Sequence, residues 1–330
     1  MTQQEPILQV SHLKKYFKTP KGMLHAVDDV SFTIDKGKTL GVVGESGCGK
    51  STTGRAILRL IEPTSGQVTF EGQDVLALDK KQLRQMRRRM QIIFQDPYSS
   101  LNARMTISDI IAEPLKLHKL CANAAEREQR VNELMETVGL SQRLVNSYPH
   151  ELDGGRRQRV GIARALALNP SFIVCDEPVS ALDVTIQAQI LELMMELREK
   201  MGMSIIMITH DLGVVANMCE KIAVMYAGKI VEYGTTDEIF YNPQHEYTKG
   251  LINSIPKLNQ KEKERLVPIE GSPVDMLNPP AGCPFAPRCR SCMKICLREM
   301  PPRTELSDTH YTQCWLLQKA EFEAEGGNAQ

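Results

Sequence analysis

The stretch Gly44-Glu45-Ser46-Gly47-Cys48-Gly49-Lys50-Ser51-Thr52 has the spacing GxxxxGK[ST]. It follows Thr39–Val43 (TLGVV), a short apolar run that reads as a buried strand, and precedes residues 51–61, which read as a helix. A strand, a glycine-rich loop and a helix in that order are the context that marks a phosphate-binding loop. The glycines let the backbone curl so that successive N–H groups face phosphate oxygens, and the helix start adds the positive end of its dipole. Lys50 brings a point charge to the β/γ-phosphates, and the Ser51 hydroxyl can bind Mg²⁺. Cys48 lies between two glycines, near a helix start and a lysine, both of which favour a thiolate. It is therefore expected to be the most reactive cysteine outside the C-terminal cluster, the alternative being a small inert residue that fits the loop.

Around that loop, strand and helix signals alternate. Residues 7–43 are β-rich and 67–75 suggest another strand. From about 106 to 145 the periodicity is helical and charged. Residues 158–168 read as an amphipathic helix ended by Asn169-Pro170. Further strands are expected at Phe172–Cys175 and Ser204–Ile208, a helix at 184–201, and a hairpin of 222–226 with 229–233 across Ala227-Gly228. Such alternation predicts an α/β fold with a parallel sheet. Beyond about 240 the composition shifts to Pro, Asn and Cys with little periodicity, so a boundary is placed there. The tail AEFEAEGGNAQ reads as disordered.

Phe172–Cys175 runs into Asp176-Glu177, which places two carboxylates at the end of a buried strand. Asp176 is suited to the nucleotide's metal and Glu177 to orienting or deprotonating an attacking water. Leu152-Asp153-Gly154-Gly155-Arg156 opens a helix about 20 residues earlier, and two glycines at a helix start present N–H groups to an anion.

Taken together these motifs resemble the nucleotide-binding subunit of ATP-binding-cassette (ABC) transporters, over residues 7 to about 250. The resemblance implies a P-loop, RecA-like ATPase with an antiparallel β subdomain and an α-helical subdomain at about 96–165, within a nucleotide-binding domain spanning 1–240. It makes Gln95 in IIFQDP the γ-phosphate- and Mg²⁺-sensing glutamine, and His210 the switch histidine. Leu152–Arg156 becomes the signature LSGGQ, with Asp153, Gly154 and Gly155 facing a partner's nucleotide, and Ser180–Asp183 the D-loop, with Asp183 its acid. Tyr16 or Phe17 would stack on adenine. The signature departs from the family pattern: Asp153 stands for serine and Arg156 for glutamine. A carboxylate there would repel a γ-phosphate, and Arg156 could offset part of it. The ATPase partner is accordingly expected to be a paralogue.

Five of the nine cysteines crowd into the last 48 residues. The spacing Cys283-x5-Cys289-x6-Cys296-x17-Cys314, together with NPQHEYT, resembles the extension (241–330) on ATPase subunits of oligopeptide and dipeptide importers. That resemblance implies a four-iron, four-sulfur cluster on Cys283, Cys289, Cys296 and Cys314. Zinc and plain reduced thiols are the alternatives, because four thiolates suit iron–sulfur and zinc equally in charge; Cys292 is left over.

Composition sets limits. Forty basic and forty acidic residues give a formal net charge of zero, which weakens a nucleic-acid reading, and the basic run Arg84, Arg87, Arg88, Arg89 reads as a solvated or partner-facing surface. No secretory signal and no stretch of 18 apolar residues occurs. The expectation is an ATP- and Mg²⁺-dependent peripheral subunit on the cytoplasmic face of the plasma membrane. It would energise peptide import with a second ATPase, two permease subunits and, indirectly, an extracellular binding protein. Import of nickel chelates, glutathione or another small solute is the alternative; a soluble cassette ATPase and a cluster-based redox sensor are more distant ones.

Overall fold

A computed structural model of the protein describes residues 5–255 and 268–318. The predicted tail lies outside the described residues. The strands are β1 (Leu8–Thr19), β2 (Gly22–Ile34), β3 (Thr39–Val43), β4 (Ser65–Phe70), β5 (Gln73–Asp74), β6 (Met90–Ile93), β7 (Phe172–Asp176), β8 (Ser204–Thr209), β9 (Lys221–Tyr226), β10 (Lys229–Thr235), β11 (Thr304–Glu305) and β12 (Tyr311–Thr312). The helices are α1 (Lys50–Ile57), α2 (Lys80–Met86), α3 (Ile107–His118), α4 (Ala124–Thr137), α5 (Gly154–Leu166), α6 (Val184–Met201), α7 (Leu212–Met218), α8 (Thr236–Tyr241) and α9 (Glu246–Asn253).

The chain divides into two compact units. Of the described residues, one unit takes those up to Ile7, Ile34–Thr39 and Glu71–Thr209; the other takes Leu8–Thr33, Leu40–Phe70 and those from His210 on. In the first unit β6, β7 and β8 are parallel, in registers such as Ile93↔Cys175 and Asp176↔Ile208. Every residue of β7 and β8 is buried, as expected of parallel strands covered on both faces. The helices α3, α4 and α5 pack on one another, through buried apolar stripes such as Ile107, Ile110, Ile111 and Leu115 of α3.

In the second unit β1 lies between β2 and β4 and pairs antiparallel with β4, with Val10 opposite Val68. β3 runs parallel to β9, and β9 turns into β10 as an antiparallel hairpin. The turn residues Ala227 and Gly228 both have positive φ, 47° and 81°. β12 then pairs antiparallel with β10, Tyr233 facing Tyr311, so the chain beyond 240 extends the hairpin's sheet. Its helix α9 and strand β12 appear where little periodicity was readable.

Other boundaries shift for local reasons. The strand expected at 67–75 breaks at Glu71-Gly72, where φ is 48° and 77°, leaving β4 and β5. The helix expected at 158–168 starts at Gly154, because the Asp153 carboxylate accepts from the Arg156 N–H at 2.8 Å and caps it. Among the described residues no helix is long and apolar enough to cross a membrane.

Candidate nucleotide site

β3 delivers the chain into the loop at Gly44 (φ 150°), and Gly49 (φ 105°) ends it. A Cβ at Gly49 would stand 2.2 Å from the Ala26 carbonyl, so only glycine lets the loop pass there. Gly49 is also the N-cap of α1 and makes no side-chain cap bond, and the helix start directs the positive end of its dipole at the loop. Lys50 is buried, and its Nζ donates to the carbonyls of Gly44 at 2.7 Å and Glu45 at 2.9 Å. Its ammonium is thus held inside the loop's concavity. Ser46 and Gly47 are exposed, and Ser51 and Thr52 half-buried.

Cys48 overturns its expectation. It is 6% exposed, and burial pushes its thiol up despite the nearby Lys50 and helix start. The packed, protonated thiol behaves as a small hydrophobe.

In the other unit, Asp176 is 1% exposed at the end of β7. Glu177 follows with φ 47°, a left-handed conformation uncommon for a non-glycine residue, fixed by its N–H donating to the Ile208 carbonyl at 2.9 Å. The Gln95 amide donates to the Glu177 carboxylate at 2.8 Å. Sequence reasoning named both residues, and the fold brings them into contact across 82 positions.

The signature glycines pack tightly. A Cβ on Gly155 would meet Ile186 Cγ2 at 2.6 Å, and one on Gly154 would meet Leu182 Cδ2 at 3.0 Å. The signature therefore lies against the D-loop and the start of α6, where Asp183 caps by accepting from the Ile186 N–H at 3.1 Å. Asp153 pairs with Arg156 at 3.4 Å, both largely exposed. The buried Arg157 lies 3.8 Å over the Tyr98 ring and donates to the Pro149 carbonyl, a tie between the signature helix and the Gln95 loop that sequence reading missed.

Tyr16 and Phe17 separate by their contacts. The Tyr16 hydroxyl donates to Asp28 at 2.5 Å and its ring packs on His25 at 4.1 Å. Phe17 is half-buried, with the Lys15 ammonium 4.7 Å from its ring centre. His210 is exposed at the end of β8. The basic run is partly engaged within its own unit, Arg84 with the Leu117 carbonyl and Arg89 with Glu71.

Two family profiles match this chain: ABC transporter over residues 27–180, and oligopeptide/dipeptide transporter, C-terminal region, over residues 231–296. The oligopeptide transport ATP-binding protein OppF of Bacillus subtilis (strain 168) is 56% identical over 253 residues, 76% of this chain and 83% of that protein. OppD of the same organism, also an oligopeptide transport ATP-binding protein, is 49% identical over 319 residues, 94% of this chain and 89% of that one. The chain belongs to the ATP-binding subunits of ABC oligopeptide and dipeptide transporters. A solved dimeric ATP-binding cassette, described as a post-hydrolysis state bound to ADP and Pi, is 31% identical with a TM-score of 0.64, covering 69% of this chain and 98% of that one. As an ABC ATPase the chain works on ATP with Mg²⁺.

None of the nine cysteines of this ABC ATPase forms a disulfide. Cys283, Cys289, Cys296 and Cys314 line one small cavity with Phe285 and Trp315, while the exposed Cys292 stays outside it. Burial pushes the thiols of Cys283 up to about 12 and Cys289 up to about 11, and the neighbouring cysteines push the same way. In kind and number these donors fit a four-thiolate centre. The cavity between them is small as it stands, about 20 Å³, the room of one water. Among the described residues no group of three or more His, Cys, Asp or Glu side chains is set to hold a metal ion.

Sequence reading quoted NPQHEYT without a role for it. Glu232 of β10, fully buried, accepts from the N–H groups of Gln244 at 2.7 Å and His245 at 3.0 Å, and contacts His310 Nε2 at 2.9 Å. His245 Nδ1 in turn accepts from the Tyr247 N–H at 3.1 Å and caps α9. Burial holds the His245 imidazole down at about 4, against the pull of Glu232. A neutral ring is what that acceptor role needs. The readable signal for this network is an acid inside the apolar strand KIVEYGT.

Proposed function

We propose that this ATPase energises the import of di- and oligopeptides, docked peripherally at the cytoplasmic face of the plasma membrane on two permease subunits that an extracellular binding protein supplies. The observation that carries the reading is the presence, in one chain, of the phosphate loop at 44–52 and the oligopeptide-type C-terminal region at 231–296. A paralogue as ATPase partner is supported by the altered signature and by two different proteins of this kind in one bacterium, both similar to this chain.

In this reading the loop N–H groups, Lys50 and the α1 start hold the phosphates, and Phe17 stacks on adenine, since Tyr16 is already engaged by His25 and Asp28. Ser51, Gln95 and Asp176 hold Mg²⁺, Glu177 orients the attacking water, and His210 contacts the γ-phosphate. Asp153, Gly154, Gly155 and Asp183 face the partner's nucleotide. The four-cysteine cavity supports a resident metal centre on Cys283, Cys289, Cys296 and Cys314, which would cross-link this segment covalently; loading a cluster requires the cavity walls to part.

Glu177→Gln tests the hydrolytic assignment. The variant keeps ATP affinity within about threefold and loses steady-state hydrolysis by at least about a hundredfold, the scale of a lost general base. Hydrolysis at the normal rate, measured as phosphate release by the assembled transporter, would sink the role given to Glu177.

A further inference from the structure

Glu45 places a carboxylate at the second position of a loop whose task is to gather polyanionic phosphate, and like charges at short range repel in a site shielded from water. The fold answers this from far along the chain. Arg288 grips the Glu45 carboxylate with both arms of its guanidinium, Nη1 to Oε2 at 2.5 Å and Nη2 to Oε1 at 2.9 Å. The Arg288 side chain is 3% exposed and Glu45 is 28% exposed. The fork is itself anchored: Nε donates to the Glu270 carbonyl at 2.9 Å, Nη2 to the Ile269 carbonyl at 3.3 Å, and Nη1 to the Tyr226 hydroxyl at 3.4 Å. The backbone of the same position is also held, because the Glu45 N–H donates to the Tyr247 hydroxyl at 2.8 Å. Tyr247 is fully buried at the start of α9, where the Glu232–His245 network sets it.

We propose that Arg288 and Tyr247 are positioning residues of the nucleotide site. Arg288 draws the Glu45 carboxylate away from the phosphates and neutralises it, and Tyr247 fixes the backbone of position 45. The inference rests on the reading that residues 44–52 bind the phosphates of ATP. A bidentate guanidinium fork is the strongest geometry for holding a carboxylate in one orientation. A loop shaped before the ligand arrives loses less freedom on binding, which raises affinity without any new contact to the ligand. The 231–296 region thereby contributes to ATP affinity through residues that never touch ATP.

The test titrates the full-length chain with the non-hydrolysable analogue AMP-PNP and Mg²⁺. Arg288→Met keeps the aliphatic bulk and releases the carboxylate, and affinity falls about tenfold, equivalent to about 1.4 kcal/mol. Adding Glu45→Gln to Arg288→Met removes the released charge and recovers most of that loss, a rescue that a merely structural role for Arg288 would not give. Wild-type affinity in Arg288→Met, or no recovery in the double variant, overturns the proposal. Should Arg288→Met fail to fold, Arg288→Lys keeps the charge but loses the fork, and affinity falls about threefold; unchanged affinity there overturns the proposal as well. Tyr247→Phe, which removes only the hydroxyl that accepts from the Glu45 N–H, weakens binding several-fold, and adding Glu45→Gln gives no recovery because the lost bond is to the backbone. Failure of the wild-type chain to bind the analogue would sink the phosphate-loop reading itself, an outcome distinct from any of these.

Discussion

Glu177 combines a left-handed backbone, a main-chain bond to Ile208 and a contact to Gln95. A non-glycine residue held there costs roughly 1–2 kcal/mol, which the surrounding structure must overdetermine. Both fixings come from elsewhere in its unit, one from β8 and one from the loop after β6. The carboxylate is therefore aimed rather than merely exposed at a strand end. Cys48 illustrates the opposite outcome. Its neighbours in sequence favour a thiolate, but the loop folds over its sulfur and burial dominates. Maleimide applied to the full chain is accordingly expected to modify the half-buried Cys121 before Cys48, with ATP making little difference at Cys48. Peptide mapping that finds Cys48 modified first would show that the loop opens in solution far enough to expose it.

At the scale of elements, the start of α5 joins two functions in one side chain. Asp153 caps the helix through the Arg156 N–H and pairs with the Arg156 guanidinium. Serine serves equally well as a cap, so the family's usual residue would leave the helix intact. Asp153→Ala is expected to lower unfolding free energy by about 1 kcal/mol, whereas Asp153→Ser leaves it nearly unchanged. If the carboxylate also repels a phosphate presented by the partner, Asp153→Ser raises turnover of the assembled transporter. Urea melts read the first effect and phosphate release the second. Unchanged turnover in Asp153→Ser would leave Asp153 with the capping role alone. Elements were legible where one periodicity ran uninterrupted: β3, β7, β8, α6 and the β9–β10 hairpin sit within a residue or two of where their patterns put them. They were less legible where a cap or a positive-φ residue set the boundary, as at Asp153 and Glu71, because that information sits in a single side chain or backbone angle.

For the molecule as a whole, the site residues of the loop, the acidic pair and the signature could be read because each motif is short and local in sequence. Contacts across more than 200 positions could not: nothing near Glu45 points to Tyr247 or Arg288. Even the shorter link from Gln244 to Glu232 is signalled only by an acid in an apolar strand. The same holds for the cysteines, whose convergence is a tertiary fact. Cys283, Cys289 and Cys296 belong to one irregular segment, while Cys314 follows β12 and is placed by β12 pairing with β10. A metal centre there would join that segment to the sheet. It must also release protons on loading, because Cys283 and Cys289 are thiols well above neutral pH when metal-free. If the proposed centre is an iron–sulfur cluster, chain purified without oxygen carries roughly four irons and four acid-labile sulfides, and loses thermal stability when a chelator strips them. Cys314→Ser, which unhooks the one ligand placed by the sheet, abolishes iron binding, while Cys292→Ser, outside the cavity, leaves it unchanged. One zinc per chain in place of iron would assign the same four donors to a tetrahedral site. Metal-free chain with four thiols and wild-type stability would make the water-sized cavity the resting state of the segment and remove the metal centre from the proposed function.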